Sequence, residues 1–129
     1  MIYEANANNF RVVVTGDSIF NRSMSAFREP NFLKLVELLH DRDVTVTTAE
    51  TLFHNYEDAP SVTAGGTYMR TDPRLIEDLK FLGVQMVSCA NNHSYDFGEN
   101  GVLTNIKYLD EYDMPHAGTG RNLAEARAP

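Results

Sequence analysis

The sequence is poor in cysteine and in long apolar runs, and these absences exclude several classes of protein. Its single cysteine, Cys89, has no second thiol to pair with, which excludes an internal disulfide framework. No stretch approaches the roughly 20 apolar residues that a membrane-spanning helix needs. The first ten residues lack the basic region and apolar run of a secretory signal. We therefore expect a cytoplasmic protein without a membrane span.

Basic residues are also scarce, with 11 Lys and Arg against 18 Asp and Glu, for a net charge of -7. They form no basic stripe, so a nucleic acid is a poor partner. An anionic ligand would need local help, for instance from a metal ion. What is present suffices for a single core, because 43% of the 129 residues are hydrophobic. We therefore expect one domain over residues 1–129.

Apolar and β-branched runs alternate with stretches of helical spacing along the chain. The runs predict three strands, at 10–17, 44–50 and 84–90, and a short fourth strand at 114–120. Helical spacing and capping residues predict helices at 31–43, capped by Asn31, and at 72–83, 98–113 and 122–128. Residues 51–71 have no sustained period and predict a long loop. Such alternation implies an α/β fold with a parallel or mixed sheet and flanking helices.

Polar side chains follow the three main strands at the point where each one ends. Asp17 and Glu50 close the first two strands, and Asn91, Asn92 and His93 follow the third. Ligands of open parallel sheets bind outside the carboxyl ends of the strands, so these groups are expected to converge. Grouped carboxylates repel one another unless a cation compensates them, which points to a divalent metal with oxygen and nitrogen ligands.

Each of these residues also has a plain structural alternative. Asp17 is equally suited to capping a turn, and Glu50 to being a solvated acid. Asn92 is suited to a left-handed turn, and Asp96 to capping the helix that begins near Glu99.

Three residues outside the main cluster, Arg121, His54 and Cys89, also carry polar or reactive side chains. Arg121 follows a glycine-containing turn and either binds an anion or pairs with Glu125. His54 lies in the long loop, where exposure is the default expectation. Cys89 is flanked by Val87 and Ala90, which favours a small buried hydrophobe over a thiol nucleophile.

The stretches "VVVTGDSIF", "TTAETLF" and "LGVQMVSCANNHSYDFGENGVLTNIKYLDEYDMPHAGTGRNLAEARAP" resemble the N-terminal half of the bacterial capsule synthesis family involved in poly-gamma-glutamate production. That family is similar in fold to calcineurin-like metallophosphoesterases. The resemblance implies the first half of an α/β/β/α sandwich, and hence an incomplete domain. Relatives of this kind are associated with the membrane or cell surface.

The resemblance also implies roles for individual residues. Asp17, Glu50 and Asn92 would be metal ligands. His93 would face the phosphate as an acid or anion stabiliser, oriented by Asp96. These two are the catalytic candidates.

Two further residues, Asn91 and Arg121, are the candidates for substrate contacts.

The sequence departs from the family pattern at several places. Ile19 stands where related phosphoesterases have a histidine, Thr48 and Ala49 precede Glu50 in place of Asn-Leu, and the later histidine motifs are missing. We therefore expect weak occupancy by divalent metal ions, whether Mn, Mg, Fe or Zn.

The resemblance leaves three functional hypotheses open. The first is a metal-dependent phosphoesterase-like hydrolase. The second is a non-catalytic component that binds an anionic small molecule or polyglutamate polymer, and the third is an inactive fragment. Half of a sandwich would also expose an apolar sheet face, which predicts a homo-oligomer or a rearranged single-sheet domain.

Overall fold

The computed structural model describes residues 9–62 and 66–128 and contains two parallel sheets. The larger has four strands in the order β1-β2-β5-β6, and the smaller pairs β3 with β4. The strands are β1 Val12–Ser18, β2 Val44–Ala49, β3 Leu52–Phe53, β4 Arg70–Thr71, β5 Met86–Ser88 and β6 His116–Ala117. The α/β fold with a parallel sheet, predicted from the sequence, is confirmed.

Four α-helices connect or follow these strands. They are α1 Pro30–His40, α2 Ile76–Phe81, α3 Gly98–Glu111 and α4 Leu123–Arg127, and a 3-10 turn at Pro73–Leu75 leads into α2. None of the helices in the described ranges is long and apolar enough to cross a membrane. Most of the N-terminal stretch for which no targeting signal is predicted lies outside the described residues, as do positions 63–65 of the predicted loop.

Among the described residues, the helices cover one face of the larger sheet, and the other face is exposed at its edge strand β1. Its strands follow one another in a single direction, so right-handed connections place α1, α2 and α3 on the same side. On that side the core joins Ala49 and Val87 of the sheet to residues of the helices and of β3, namely Phe53, Ile76, Leu79 and Leu109. On the other side Val12 and Val14 of the edge strand are 51% and 75% exposed. Parallel sheets normally bury both faces.

Two helix starts differ from the sequence-based expectation. Asn31 was predicted to cap the first helix, but Pro30 occupies the first helical turn and Glu29 is the cap, so Asn31 lies inside α1. Proline has a fixed φ that suits the first helical position, and this preference outweighs the capping tendency of asparagine. At the next helix Asp72 does cap, accepting a hydrogen bond from the Arg74 amide at 2.9 Å.

The buried stripe of α3 also differs from the one that apolar spacing predicts. The sequence places Val102, Ile106 and Leu109 on one face, whereas the buried residues are Gly101, Asn105 and Leu109. A Cβ on Gly101 would lie 2.4 Å from the Cβ of Phe97, so only glycine allows this close packing. Asn105 is buried because its Oδ1 accepts a hydrogen bond from the Phe53 amide at 2.8 Å.

The predicted long loop contains more structure than its sequence indicates. It holds β3 and β4, whose two residues each are too few to produce a recognisable period. The expectation that His54 is exposed is wrong, because its side chain is fully buried. Its ring stacks on Phe97 with centroids 4.4 Å apart, and Nδ1 accepts a hydrogen bond from the Tyr56 amide at 2.9 Å. The loop therefore folds around the buried side chain of His54.

Candidate functional site

Asp17 reaches the carboxyl edge of the larger sheet through a bulge in β1. Val14 pairs with Val46 and Asp17 with Thr48, so two residues of β1 lie opposite Thr47 alone. Bulges of this kind re-aim the side chains that follow them. The Asp17 side chain is exposed at this edge, the rim of the larger sheet, as expected of a carboxylate at the end of a strand.

Glu50 follows β2 and is almost completely buried, with 5% of its surface exposed. The alternative of a solvated surface acid is therefore wrong. Burial raises the pKa of Glu50, the neighbouring Asp17 carboxylate raises it further, and the His93 imidazole acts in the opposite direction. These influences mean that Asp17, Glu50 and His93, from three different strand ends, lie close enough to act on one another.

Asn91 ties the loop after β5 to the end of β2. Its Nδ2 donates to the carbonyl oxygen of Ala49 at 2.8 Å, and its Oδ1 accepts from the His93 amide at 2.8 Å. The hydroxyl of Ser94 closes the same turn by donating to the carbonyl oxygen of Cys89 at 2.7 Å. Both ends of the Asn91 side chain are thus engaged with backbone, and its evident contribution is to hold His93 at the rim.

His93 and Asp96 form a hydrogen-bonded pair. Nδ1 of His93 lies 2.8 Å from Oδ2 of Asp96, and the two side chains are only 17% and 4% exposed. Asp96 does not cap α3, because Phe97 holds the cap position and no side chain caps it. With Nδ1 facing a carboxylate, the ring presents Nε2 as its free nitrogen.

A backbone group that the sequence analysis missed completes this pair. The amide of Met69, just before β4, donates to Oδ2 of Asp96 at 2.6 Å. The amide of Ser61 donates to the carbonyl oxygen of Asp96 at 2.7 Å. Both donors come from the long loop and are backbone groups, so no residue-type signal identifies them.

Two other predicted site residues, Asn92 and Arg121, are exposed. The Asn92 side chain is exposed at the rim next to His93. Arg121 lies in the turn after β6, where its Nε is 3.0 Å from the Glu125 carboxylate, in the ion pair that was the alternative to anion binding. Arg121 is therefore engaged by its neighbour.

The thiol of Cys89 is not suited to nucleophilic chemistry. Burial raises the pKa of Cys89 to about 11, and its side chain is only 2% exposed. Nδ2 of Asn105 lies 3.7 Å from the sulfur. The expectation of a small buried hydrophobe agrees with this environment.

The donors at the rim suit a weakly held hard cation. Asp17 and Glu50 supply carboxylate oxygens and Asn92 an amide oxygen, the ligand types that Mg²⁺ and Mn²⁺ accept. A cation there would relieve the carboxylate repulsion that contributes to the raised pKa of Glu50. Within residues 9–62 and 66–128, however, no three His, Cys, Asp or Glu side chains are grouped so as to hold a metal ion.

The fold and the rim together define an α/β protein with an acidic, imidazole-containing site at the carboxyl ends of parallel strands. The chain belongs to the family described as "Bacterial capsule synthesis protein PGA_cap", which matches residues 11–129. It is also 36% identical over 124 residues to each of two proteins of Sinorhizobium fredii (strain NBRC 101917 / NGR234), "Uncharacterized protein y4sH" and "Uncharacterized protein y4uA". The match covers 94% of this chain and 27% of each relative, so the chain spans about a quarter of their length.

Proposed function

We propose that this member of the capsule synthesis family carries a cation-assisted phosphoester hydrolysis site at the rim of its larger sheet. The observation that carries the proposal is the 2.8 Å contact between His93 Nδ1 and Asp96 Oδ2, beside the paired carboxylates Asp17 and Glu50. An imidazole oriented by a buried carboxylate is suited to general acid–base chemistry. Carboxylates grouped beside it are suited to a divalent cation.

The proposed role of His93 is proton delivery to the leaving group. In the hydrolysis a bond forms between a water oxygen and phosphorus, the ester P–O bond breaks, and the attacking water releases one proton to solvent, from which His93 is protonated again. Protonated Nε2 of His93 donates its proton to the departing oxygen, while Asp96 stabilises the ring through Nδ1. The Met69 amide donates to the same Oδ2 and so helps to hold the Asp96 side chain against the ring.

The proposed cation would be held by Asp17, Glu50 and Asn92. When bound, it supplies positive charge that clamps phosphate oxygens and lowers the pKa of a bound water. The residues of this chain then have two tasks: the carboxylates bind the cation, and His93 serves the leaving group. Asn91 contributes by positioning the loop. Arg121 would reach substrate only by giving up its ion pair with Glu125.

Replacement of His93 tests the catalytic part of the proposal. We expect His93→Ala to lower manganese-dependent hydrolysis of a chromogenic phosphodiester by about 100-fold or more, the usual contribution of general acid–base catalysis. His40→Gln is the matched control, because His40 ends α1 and binds the Phe81 carbonyl oxygen away from the rim. Unchanged turnover in His93→Ala would remove this residue from the mechanism.

Replacement of Glu50 tests the cation separately from catalysis. Calorimetric titration of the wild-type chain with MnCl₂ should show weak saturable binding, and Glu50→Gln should abolish it. Glu37→Gln on the exposed side of α1 serves as the control for a general loss of negative charge. Equal Mn²⁺ binding by wild type and Glu50→Gln would exclude Glu50 as a ligand.

A second candidate function is non-catalytic binding of an anionic polymer such as polyglutamate. The observation that favours it is that no three His, Cys, Asp or Glu side chains of the described residues are grouped so as to hold a metal ion. Against it, the exposed Asp17 and the overall charge of -7 would repel a polyanion unless a cation intervenes. Titration with glutamate oligomers separates the two functions, since saturable metal-independent binding without hydrolysis supports the second.

A further inference from the structure

A cavity of about 390 Å³ lies beside the loop that carries His93. One wall is formed by Tyr95 of this loop and another by Glu99, Val102 and Leu103 from the first turns of α3. The turn after β6 closes the cavity with Thr119, Gly120 and Arg121. Its volume is in the range of pockets that take small ligands.

Most polar groups around this cavity are already engaged. The Ser94 hydroxyl lies 2.7 Å from the carbonyl oxygen of Cys89 and 2.6 Å from that of Asn91, so its single hydrogen is engaged by backbone. The guanidinium of Arg121 is neutralised by Glu125 at 2.9 Å. The hydroxyl oxygen of Thr119 is buried and has no hydrogen-bond partner among the described residues, and because it is buried it does not open into the cavity. None of these three groups is presented to a ligand as an open polar contact.

The groups that remain are apolar, with one carboxylate. Tyr95 is 50% exposed and Leu103 is 40% exposed, which is high for large apolar side chains in a concave surface. Glu99 is exposed, and the described residues offer it no ion-pair partner. It lies in the first turn of α3. The cavity therefore combines an aromatic ring and an aliphatic wall with one unpaired negative charge.

We propose that this cavity binds a small organic cation, an ammonium group carried on a short aliphatic chain. The ammonium would lie against the Glu99 carboxylate and the face of the Tyr95 ring, and the carbon chain against Val102 and Leu103. An anionic ligand would be repelled by Glu99. Arg121 is already paired with Glu125 and would not compensate this repulsion. The site takes no part in the proposed phosphoester chemistry, and binding alone tests it.

Three probes of similar size and different charge test which charge the cavity prefers. Backbone NMR spectra of the whole chain are recorded with n-butylammonium, n-butanol and n-butyrate at constant ionic strength. We expect saturable shifts at Tyr95, Glu99 and Leu103 with n-butylammonium, about tenfold weaker binding of n-butanol, and none of n-butyrate. Equal binding of n-butylammonium and n-butanol would overturn the proposal, and so would tighter binding of n-butyrate or the absence of saturable shifts.

Two variants and one control separate the contributions. Glu99→Gln should remove the preference for n-butylammonium over n-butanol, because it deletes the charge and keeps the shape. Leu103→Ser should weaken both probes equally. Glu111→Gln, at the other end of α3 and paired with Lys107, should change nothing. A preference for n-butylammonium that survives Glu99→Gln would show that Glu99 does not provide the recognition.

Discussion

The Thr47 hydroxyl donates to the carbonyl oxygen of Gly16 at 2.9 Å, across the bulge that delivers Asp17 to the rim. The same hydroxyl oxygen is 2.7 Å from the hydroxyl of Thr15 and 2.6 Å from that of Ser18. Thr47 is 1% exposed, so these bonds are partly shielded from water. One buried threonine thus stabilises the irregular backbone on which the position of Asp17 depends.

Thr47→Val should destabilise the protein and displace Asp17. The change keeps the shape but leaves partly buried hydrogen-bonding groups of β1 without their partner, at a cost of about 1 kcal/mol or more in the free energy of unfolding. Urea denaturation measures this cost. Thr48→Val is the matched control, since Thr48 is half-buried on the opposite face, and its effect should stay within about 0.5 kcal/mol. Equal effects of the two changes would contradict the role of Thr47.

Asp78 of α2 should make stability depend on pH at the acidic end. Burial pushes its pKa upward, but hydrogen bonds from the Ser25 amide, the Ser23 hydroxyl and the Met24 amide outweigh burial, so its pKa is lowered. The unfolded chain therefore binds the proton more readily. The stabilisation is complete above the unfolded pKa of about 4 and is lost as pH falls through the lower folded pKa.

Asp78→Asn provides the measurement for this prediction. We expect it to lower the free energy of unfolding by about 2 kcal/mol at pH 7, because the charged acceptor of three hydrogen bonds is lost. The difference from wild type should shrink as the pH falls below about 4. Glu77→Gln, on the exposed side of the same helix, should preserve the wild-type pH profile. A constant difference between Asp78→Asn and wild type down to the lowest accessible pH would refute the assignment.

Cys89 should be unreactive while the protein is folded. Its pKa of about 11 and its burial leave very little accessible thiolate at pH 8. Alkylation by iodoacetamide should therefore be at least about 100-fold slower in the folded chain than in urea. Mass spectrometry of timed samples measures both rates. Rapid modification of the folded chain would reopen the thiol-enzyme interpretation that the sequence analysis set aside.

The parts of the site that the sequence predicts are those set by local chemistry. Residues at the ends of parallel strands meet at one edge, so the convergence of Asp17, Glu50 and His93 follows from strand assignment alone. The Asp96 contact was suggested only by the family resemblance, although the two residues are three apart in one loop. What sequence could not supply arises from distant contacts: the Met69 amide that donates to Asp96 comes from the loop just before β4, and the burial of His54 comes from a loop folding around it.

The prediction of the buried stripe of α3 is wrong for a related reason. Periodicity counts apolar residues, but Gly101 is buried to admit Phe97, and Asn105 is buried to satisfy the Phe53 amide. Neither role is a property of the residue type. Both depend on which partner the fold brings alongside, and a single sequence contains no record of that partner.

The open face of the larger sheet should make the chain self-associate. Val12 and Val14 stand exposed on an edge strand of a parallel sheet, an architecture that normally covers both faces. We expect sedimentation velocity to show a species larger than the monomer that grows with protein concentration. Replacing both valines by threonine keeps β-branching and strand propensity but removes apolar surface, so the distribution should shift towards monomer.

Leu38→Thr is the control for this last prediction, because Leu38 is also 50% exposed but lies on α1, on the helical side of the sheet. Loss of apolar surface there should leave the association unchanged if the open sheet face is the contact. An equal shift in both variants would mean that association is non-specific. A strictly monomeric wild-type chain over the whole concentration range would show that the exposed valines do not drive association.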